Sequence, residues 1–394
     1  MSNKKRVWRI ILQVGSYLLV AVLATGIGTL IAKNSIENSQ SGNAVKLQKL
    51  EALIDECYIG EVDETALGDG AAAGMVAALG DRWSYYIPAS QYGAYKEQMQ
   101  NAYVGIGVTV SGEDLSKGLS ITKVEPNGGA RQAGILPGDI ITRVEGENVS
   151  ELGMDAAREK IKGEEGTTVQ LTVLRGEEQL EFTVVRQMIE TEVARGEMLD
   201  GKIGLVTIHN FDERCADETL SAVKRLVDEG ATSLIFDVRN NPGGYKKELV
   251  KILDYLLPEG ALFRSVLYNG EETVDESDAA CLKLPMAVLV NAESYSAAEF
   301  FAAALSEYEW ATVVGEHTVG KSYFQNTFEL GDGSAVGLSV GKYCTPKGVT
   351  LAEVGGLKPD VEVEVDDETF AKIYGDLLEP MEDPQILAAI ETLK

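Results

Sequence analysis

The stretch "MAVLVNAESYSAAEFFAAAL", residues 286–305, places a short apolar run directly before a longer, alanine-rich one. The first run has the length of a buried strand, and the run that follows Ser296 has the length and composition of a helix. The next apolar run, "ATVVGE" (311–316), again has the length of a strand. The order strand, helix, strand predicts a βαβ unit in a sheet with helices packed on its faces.

The same alternation extends outward over residues 188–394. Apolar runs at "KIGLVTI" (202–208) and "SLIFDV" (233–238) are each followed by a helical pattern. In such sheets, ligand chemistry lies at the carboxyl ends of the strands. The loops "VRNNPGG" (238–244) and "NAESYS" (291–296) both follow strands, so we expect them to meet at that edge.

Upstream of this α/β region, a β-rich domain is predicted over residues 99–187. Short apolar runs such as "YVGIGVTV" (103–110) and "TVQLTVLR" (168–175) alternate with Gly- and Asn-rich turns, and one helix, "MDAAREKIKG" (154–163), interrupts them. Residues 45–98 have a helical pattern. The chain is therefore predicted to be an α/β (α+β) multidomain protein.

The N-terminus carries the pattern of a membrane anchor. Basic residues precede an uncharged apolar run, residues 10–32, which at about 1.5 Å per residue can span roughly 30 Å of hydrocarbon. The run is longer than the apolar region of a signal peptide, which favours an uncleaved anchor. We expect a cytoplasmic stub and transmembrane helix over 1–33, a linker over 34–44, and a single-pass cell-membrane protein whose catalytic region is extracytoplasmic.

The composition limits the classes of partner. A formal charge of −27 argues against nucleic acid, because phosphate binding relies on clustered Lys and Arg. Four widely scattered cysteines without a CxxC pair indicate neither a zinc site nor a disulfide framework. No metal is therefore predicted.

"GEHTVGKS" (315–322) matches the phosphate-loop pattern GxxxxGK[ST], so an NTPase that uses Lys321 and Ser322 is one alternative. A phosphate loop must open a helix, whose N-terminus holds the anion. The residues that follow, "YFQNTFELGDGSA" (323–335), instead have the composition of a strand. A strongly acidic chain also attracts polyphosphate poorly.

The same lysine has a second possible use, as the base that activates a serine. The chain has two histidines, His209 and His317, and no GxSxG elbow surrounds Ser294 or Ser296. A buried lysine is an alternative base because desolvation disfavours its ammonium form and lowers the pKa. Lys321 lies in an apolar segment suited to a neutral amine.

Several motifs in order resemble the carboxyl-terminal processing peptidases, also called tail-specific proteases, which are Ser-Lys serine peptidases with a PDZ domain. They span most of the chain from about residue 50 onward. The motifs are "LGDGAAAGMVAALGDRWSYY" (67–86), "YVGIGV" with "ARQAGILPGDIITRVEG" (103–108, 130–146), "LIFDVRNNPGG" (234–244), "NAESYSAAEFFAAAL" (291–305), "VVGEHTVGKSYFQ" (313–325) and "YCTPKGVTLAEVGGLKPDVEV" (343–363).

The resemblance implies a ClpP/crotonase-like peptidase core over 188–394 that needs no cofactor. In the family pattern S-x-S-A-x-E the second serine, here Ser296, is the nucleophile. Lys321 lies 25 positions after it, as the family's base does, and Gln325 matches a third catalytic residue that would orient the amine. Tyr295 departs from the small residue common in the motif, and we expect it at the substrate cleft.

Stabilisation of the oxyanion is expected at the start of the helix that Ser296 opens, because backbone N–H groups are free there. The N–H of Ala297 is one candidate donor. A second would come from Gly243 or Gly244, and the sequence does not choose between them.

The 99–187 domain resembles a PDZ domain, which binds a peptide C-terminus as an added strand while loop N–H groups hold the carboxylate. In similar proteins this domain gates the protease, and a basic residue after its helix, here Lys162, is a possible sensor. Dimers occur among similar proteins, so the resemblance allows a homodimer, and the sequence leaves the oligomeric state open. A PDZ-bearing binding protein without turnover is the other alternative, which retention of the catalytic residues disfavours. The predicted carboxylate loop comprises Gly105, Ile106, Gly107 and Val108.

Overall fold

A computed structural model describes residues 42–375 and 377–394. The described residues divide into two compact units, with the boundary between Ala78 and Leu79. The predicted membrane anchor, residues 10–32, lies outside the described residues. No helix in the described part of the chain is long and apolar enough to cross a membrane.

The segment predicted to be helical, residues 45–98, contains helices and one short strand. In the first unit, the Asp63 side chain caps the second helix by accepting a hydrogen bond from the Ala66 N–H. In the second unit, the aromatic run after Gly80 forms a strand, as β propensity favours. The elements are helices α1 (Gly42–Cys57) and α2 (Glu64–Ala77), strand β1 (Tyr85–Ile87) and helix α3 (Ala89–Met99).

The β-rich domain is built on a six-stranded antiparallel sheet in the order β3-β4-β5-β7-β8, with β6 paired to β5. Along β7, Val169, Leu171 and Val173 are buried at alternate positions, so they face the domain's own core. Strands β2 and β9 pair outside this sheet. The elements are strands β2 (Ala102–Gly105), β3 (Val108–Ser111), β4 (Leu119–Val124), β5 (Ile140–Val144), β6 (Glu147–Asn148), β7 (Thr168–Arg175), β8 (Glu178–Val185) and β9 (Gln187–Glu190), and helices α4 (Gly129–Ala133), α5 (Val149–Leu152) and α6 (Met154–Ile161).

The remaining elements form the α/β core and an antiparallel sheet. The strands are β10 (Ala194–Leu199), β11 (Ile203–Ile208), β12 (Ser233–Asp237), β13 (Gly260–Leu267), β14 (Glu272–Ser277), β15 (Met286–Val290), β16 (Ala311–Gly315), β17 (Tyr323–Glu329), β18 (Ala335–Cys344) and β19 (Val361–Glu362). The helices are α7 (Cys215–Asp228), α8 (Lys246–Leu256), α9 (Ala297–Glu307), α10 (Leu351–Val354), α11 (Asp367–Tyr374), a 3-10 turn (Pro380–Glu382) and α12 (Pro384–Thr392).

The core sheet has the strand order β10-β11-β12-β15-β16-β19, parallel except for the edge strand β10. Every residue of the central strands β12 and β15 is buried, as expected for parallel strands covered on both faces. Helices α7, α8 and α9 pack on one face and α12 on the other. The βαβ prediction made from residues 286–316 is confirmed.

The loops after β12 and β15 meet at the carboxyl edge of the sheet, as predicted. The backbone N–H of Tyr295 donates to the carbonyl of Asn241 at 3.1 Å. Asn240 and Asn291 exchange hydrogen bonds of 2.9 and 2.8 Å. The Ser294 hydroxyl, fully buried, donates to the Val238 carbonyl, so Ser294 ties the two loops together.

The antiparallel sheet has the order β1-β18-β13-β14, with β17 also paired to β18. Its strand β1 brings residues near position 85 to β18, where Tyr85 pairs with Gly337. This pairing places the aromatic segment 83–86 beside residues that follow Lys321 in sequence. The sheet therefore forms a second wall next to the carboxyl edge of the core.

Candidate active site

Ser296 lies at the tight turn between β15 and α9 and is the N-cap residue of that helix. Its backbone has φ 58° and ψ −125°, a region that residues with a side chain rarely occupy. Such strain persists only where the surrounding structure imposes it, and it is frequent at active sites. The residue is 8% exposed, so its hydroxyl lies at the floor of a cavity.

A buried carboxylate, Glu299, joins the turn of Ser296 to the segment of Lys321. Its Oε2 accepts hydrogen bonds from the backbone N–H groups of Ser296 (2.9 Å) and Lys321 (2.8 Å). Its Oε1 accepts from the Gly320 N–H at 2.6 Å and from the Thr318 hydroxyl. Burial raises the pKa of Glu299, and these hydrogen bonds act to lower it. Glu299 therefore fixes the two segments relative to each other.

The Lys321 side chain rests on aromatic rings. Its Nζ lies 4.6 Å from the centroid of the Trp83 ring and 5.7 Å from that of Tyr295. Within the described part of the chain, no hydrogen bond joins this amine to Ser296. The pKa of the Lys321 amine is lowered below its ordinary value, and burial is the main cause. The charges of Asp81 and Glu299 oppose the shift.

The glycine loop before α8 approaches Ser296 closely. A Cβ on Gly243 would lie 2.8 Å from the Ser296 Cβ and 2.9 Å from the Ala297 nitrogen. The Gly243 N–H donates to the Asn241 side chain at 2.8 Å. Among the hydrogen bonds of the described residues, none is donated by the N–H of Gly244. The geometry thus favours Gly244 over Gly243 as partner of Ala297 in an oxyanion hole, and both remain predictions.

Gln325 lies in the same cavity, but its amide points elsewhere. Its Nε2 donates to the Ser339 hydroxyl at 2.9 Å and to the Tyr323 carbonyl at 3.1 Å. In the residues that the structure describes, it makes no hydrogen bond to Lys321. Residues four apart in one regular strand share a face, but Lys321 precedes β17, which begins only at Tyr323, and a register shift falls between Phe324 and Gln325.

Ser296, Lys321, Gln325 and the glycine loop line a cavity of about 910 Å³ whose walls are rich in aromatic rings. The acidic side of this active-site cavity includes Asp212, which is 5% exposed. Burial, followed by the charges of Glu213 and Glu248, raises the pKa of Asp212 to about 7. The aromatic residues of the wall are Tyr85, Tyr92, Tyr95, Tyr245, Tyr295, Phe324, Phe328 and Tyr343.

The sequence match to a phosphate loop does not form one in three dimensions. Residues 316–322 contain no helix, and the next element is strand β17. The Ser322 side chain is fully buried and accepts a hydrogen bond from the Ala352 N–H, while the Lys321 amine lies on aromatic rings. The NTPase alternative therefore lacks the helix N-terminus that would hold the phosphates.

The predicted carboxylate loop of the β-rich domain borders a second cavity, of about 420 Å³. Ile106 is buried, and its carbonyl accepts from the Ala130 N–H at 2.8 Å, which fixes the loop. Lys162 lines this cavity at the end of α6 and pairs with Glu159 at 3.4 Å. The residues of the predicted loop all lie on its wall: Gly105, Ile106, Gly107 and Val108.

Two residues that contact the presumed catalytic pair were not singled out from the sequence. Glu299 occupies the third position of helix α9, and the spacing S-x-x-E after Ser296 is the signature of a capping box, which the structure contains. Trp83 had no local signal, because its contact with Lys321 depends on pairing between distant strands. The capping-box pattern alone could have identified the carboxylate.

Comparison with protein families gives matches along most of the chain. Peptidase family S41 matches residues 202–363, and the PDZ domain family matches residues 96–174. The N-terminal domain of the activating protease CtpB matches residues 14–90. The matches cover the peptidase core, the β-rich domain and the helical segment.

Individual proteins give the same result. The carboxy-terminal processing protease CtpA of Bacillus subtilis (strain 168) is 33% identical over 367 residues, which cover 90% of this chain and 77% of that protein. A CtpA-like serine protease of Staphylococcus aureus (strain COL) is 30% identical over 379 residues, 92% of this chain and 75% of that protein.

Among solved structures, an S41-type protease of Bacteroides fragilis NCTC 9343 has the same fold. It superposes with a TM-score of 0.54 at 16% identity, covering 85% of this chain and 92% of that one. The extent of the sequence similarity to CtpA, the S41 and PDZ matches and the α/β core lead to one conclusion. The chain belongs to the S41 family of carboxy-terminal processing serine peptidases.

Proposed function

We propose that this protein is a membrane-anchored endopeptidase that recognises protein C-termini through its PDZ domain and cleaves peptide bonds with Ser296 and Lys321. One observation carries the assignment of the site. A buried serine at a strained helix start and a lysine with a lowered pKa border one cavity, and a single carboxylate binds the backbone of both. The two groups of a Ser-Lys pair are thus held at one cavity, although among the described residues their side chains are not hydrogen-bonded to each other.

In the proposed reaction, neutral Lys321 takes the proton of the Ser296 hydroxyl, and the Oγ attacks the scissile carbonyl carbon. The lowered pKa supports this step because it increases the neutral fraction of the amine. The amine must first leave the rings of Trp83 and Tyr295. We therefore propose that the structure represents a resting arrangement and that substrate binding brings Nζ to hydrogen-bond range, about 3 Å.

The negative charge that develops on the carbonyl oxygen is proposed to be held by the N–H groups of Ala297 and Gly244. The lysine then protonates the leaving amine, and water, activated by the same amine, hydrolyses the acyl-enzyme. Gln325 is proposed to orient the amine once it has moved. This role requires the Gln325 amide to exchange its hydrogen bond with Ser339 for one with Lys321.

The PDZ cavity is proposed to hold the substrate's terminal carboxylate on the loop Gly105–Val108, with the last side chain among apolar neighbours such as Ile161. Lys162, at the rim, is proposed to sense the bound tail. Helix α3 borders both cavities, with Glu97 on the PDZ side and Lys96 on the active-site side, so it is suited to link tail binding to cleavage. Residues 10–32 are proposed as the anchor that holds the enzyme at the extracytoplasmic face.

The proposal is tested with the purified full chain and an unstructured protein that has an apolar C-terminus, with and without ATP and Mg²⁺. Cleavage by the wild type, indifferent to ATP and abolished in Ser296→Ala and Lys321→Met, supports it. Lys342→Met is the matched control, since this partly exposed lysine pairs with Glu353 away from the cavity. Cleavage that survives in Ser296→Ala, or ATP hydrolysis that depends on Lys321, would overturn it.

A further inference from the structure

Asp212 lies next to the loop that approaches the catalytic serine. Its neighbour Phe211 forms a short parallel bridge with Gly244. The Phe211 N–H donates to the Gly243 carbonyl, and the Phe211 carbonyl accepts from the Tyr245 N–H, both at 2.7 Å. Because a Cβ on Gly243 would lie 2.8 Å from the Ser296 Cβ, the backbone next to Asp212 is tied to a loop that passes close to Ser296.

The Asp212 side chain is largely buried, but its carboxyl oxygens are not fully enclosed, since the fully buried unpaired polar atoms of the described residues are Arg214 Nε and Ser265 Oγ. Within the residues described, no hydrogen-bond donor and no cation contacts it, although the residue is only 5% exposed and borders the active-site cavity. The other buried aspartates differ: Asp139 binds Arg175, whereas Asp237 and Asp383 both bind Arg239. Burial of an unpaired carboxyl is unfavourable, and such groups in clefts concentrate at functional sites.

The lysines of the same cavity do not supply the missing cation. Each of the four among the described residues is engaged with another group: Lys246 binds Asp275 at 2.9 Å and Lys247 lies 3.6 Å from Glu213. Lys96 lies over the Tyr92 ring at 4.5 Å, and Lys321 over the Trp83 ring at 4.6 Å. A cation that reaches Asp212 would therefore come with the substrate.

Tyr245 and Tyr295 line the same cavity as Asp212. Burial raises the pKa of both tyrosines, and the charge of Asp212 adds to the shift in each. A carboxylate in a cavity lined by tyrosines suits an ammonium or guanidinium group, because the carboxylate offers a charge-assisted hydrogen bond and the rings attract a cation.

We propose that Asp212 is a specificity-determining residue, which receives a lysine or arginine side chain of the substrate in a subsite beside the Gly243–Gly244 loop. The inference rests on the proposed peptidase function and deepens it, since it names a class of residue close to the scissile bond. The PDZ domain selects the tail of the substrate, and Asp212 selects where the chain is cut.

The test uses the full chain and quenched fluorescent peptides that share one apolar tail. Each set carries lysine, norleucine or glutamate at one of the positions within two residues of the scissile bond. At one such position, wild-type kcat/KM for lysine is expected to exceed that for norleucine by about tenfold, as one charge-assisted hydrogen bond provides. Asp212→Asn should bring this ratio to about one and leave the norleucine rate unchanged.

Glu272→Gln is the matched control, because it removes the same charge from the exposed strand β14, outside the cavity. Asp212→Ser serves as a second variant if Asp212→Asn fails to fold. A lysine preference that persists in a folded Asp212 variant overturns the proposal, as does a wild type without preference at any position. Equal loss of all substrates in the variant also overturns it, since that result would make Asp212 part of the catalytic apparatus. None of these results affects the assignment of Ser296, which fails only if Ser296→Ala still cleaves.

Discussion

Glu299→Gln gives the sharpest test of how the site is held together. The substitution keeps the shape of the side chain and replaces one carboxylate oxygen by an amide NH₂. In the wild type, both oxygens accept hydrogen bonds and neither donates. The amide nitrogen therefore faces two donors wherever it is placed.

The hydrogen bonds of the wild type indicate which of the two orientations of the amide in Glu299→Gln costs less free energy. On the Oε2 side the NH₂ would oppose the backbone N–H groups of Ser296 and Lys321, which cannot turn. On the Oε1 side it would oppose the Gly320 N–H and the Thr318 hydroxyl, and a hydroxyl can rotate and accept. One N–H, that of Gly320, then loses its acceptor, and the other bonds lose their charge assistance.

An unsatisfied buried donor costs about 1–3 kcal/mol, and the loss of charge from the remaining bonds adds roughly 1 kcal/mol or more. Removal of a buried charge offsets part of this, because burial raises the pKa of Glu299. We expect a net loss of about 1–3 kcal/mol in the free energy of unfolding, and about a tenfold to hundredfold loss in kcat as Ser296 and Lys321 lose their alignment.

The assay combines thermal unfolding with peptide cleavage, and Glu307→Gln is the control. Glu307 ends the same helix and also joins it to a neighbouring segment, accepting from the Thr345 hydroxyl and the Lys347 N–H at 2.7 Å. This variant should lose stability but keep kcat. Wild-type kcat in a folded Glu299→Gln protein would refute the role given to the carboxylate.

Three further outcomes are expected. Trp83→Leu removes the ring that lies 4.6 Å from the Lys321 amine, so without tail peptide a serine-directed reagent should acylate this variant about threefold to tenfold faster. Tyr92→Leu, which removes the corresponding ring from Lys96, should leave the acylation rate unchanged. Slower acylation of the Trp83 variant would contradict the resting arrangement. Because burial lowers the pKa of Lys321 below the ordinary lysine value of 10.5, the neutral amine forms at lower pH. In a pH–rate profile, kcat/KM should therefore rise with pH, with the midpoint of the rise below 10.5. A midpoint at or above 10.5 would exclude a desolvated lysine as the base. In Gly244→Ala the new Cβ would lie 2.2 Å from the Phe211 carbonyl carbon, so the loop must shift and carry the proposed oxyanion donor with it. In the cleavage assay, kcat should fall at least about a hundredfold. Gly270→Ala, which has open space around its Cβ position, should keep its kcat.

The sequence was sufficient for the parts of the fold that depend on local pattern. Apolar runs and their lengths predicted the strand–helix–strand unit around Ser296, since periodicity and length are properties of neighbouring residues. The strand composition after Ser322 similarly argued against a phosphate loop, and the structure has β17 there. The lack of a serine elbow with a histidine partner and the apolar segment around Lys321 brought this lysine into consideration as a base, and the family resemblance added its spacing from Ser296.

The sequence did not predict features that arise from distant pairing. The contact of Trp83 with Lys321 depends on strand β1 joining β18 across more than half of the chain, and no local pattern encodes that register. The position of Phe211, next to Asp212, beside the glycine loop likewise depends on a bridge to Gly244, which is distant in sequence. For Gln325, the alternation rule failed because a register shift interrupts the strand.

The backbone conformation of Ser296 affects which inactive variants are useful for trapping substrates. At φ 58° and ψ −125°, alanine keeps the steric conflict of a Cβ, whereas glycine removes it. Ser296→Gly should therefore be at least as thermostable as Ser296→Ala, in spite of glycine's greater freedom in the unfolded chain. The proposed nucleophile thus occupies a position where loss of its side chain relieves backbone strain.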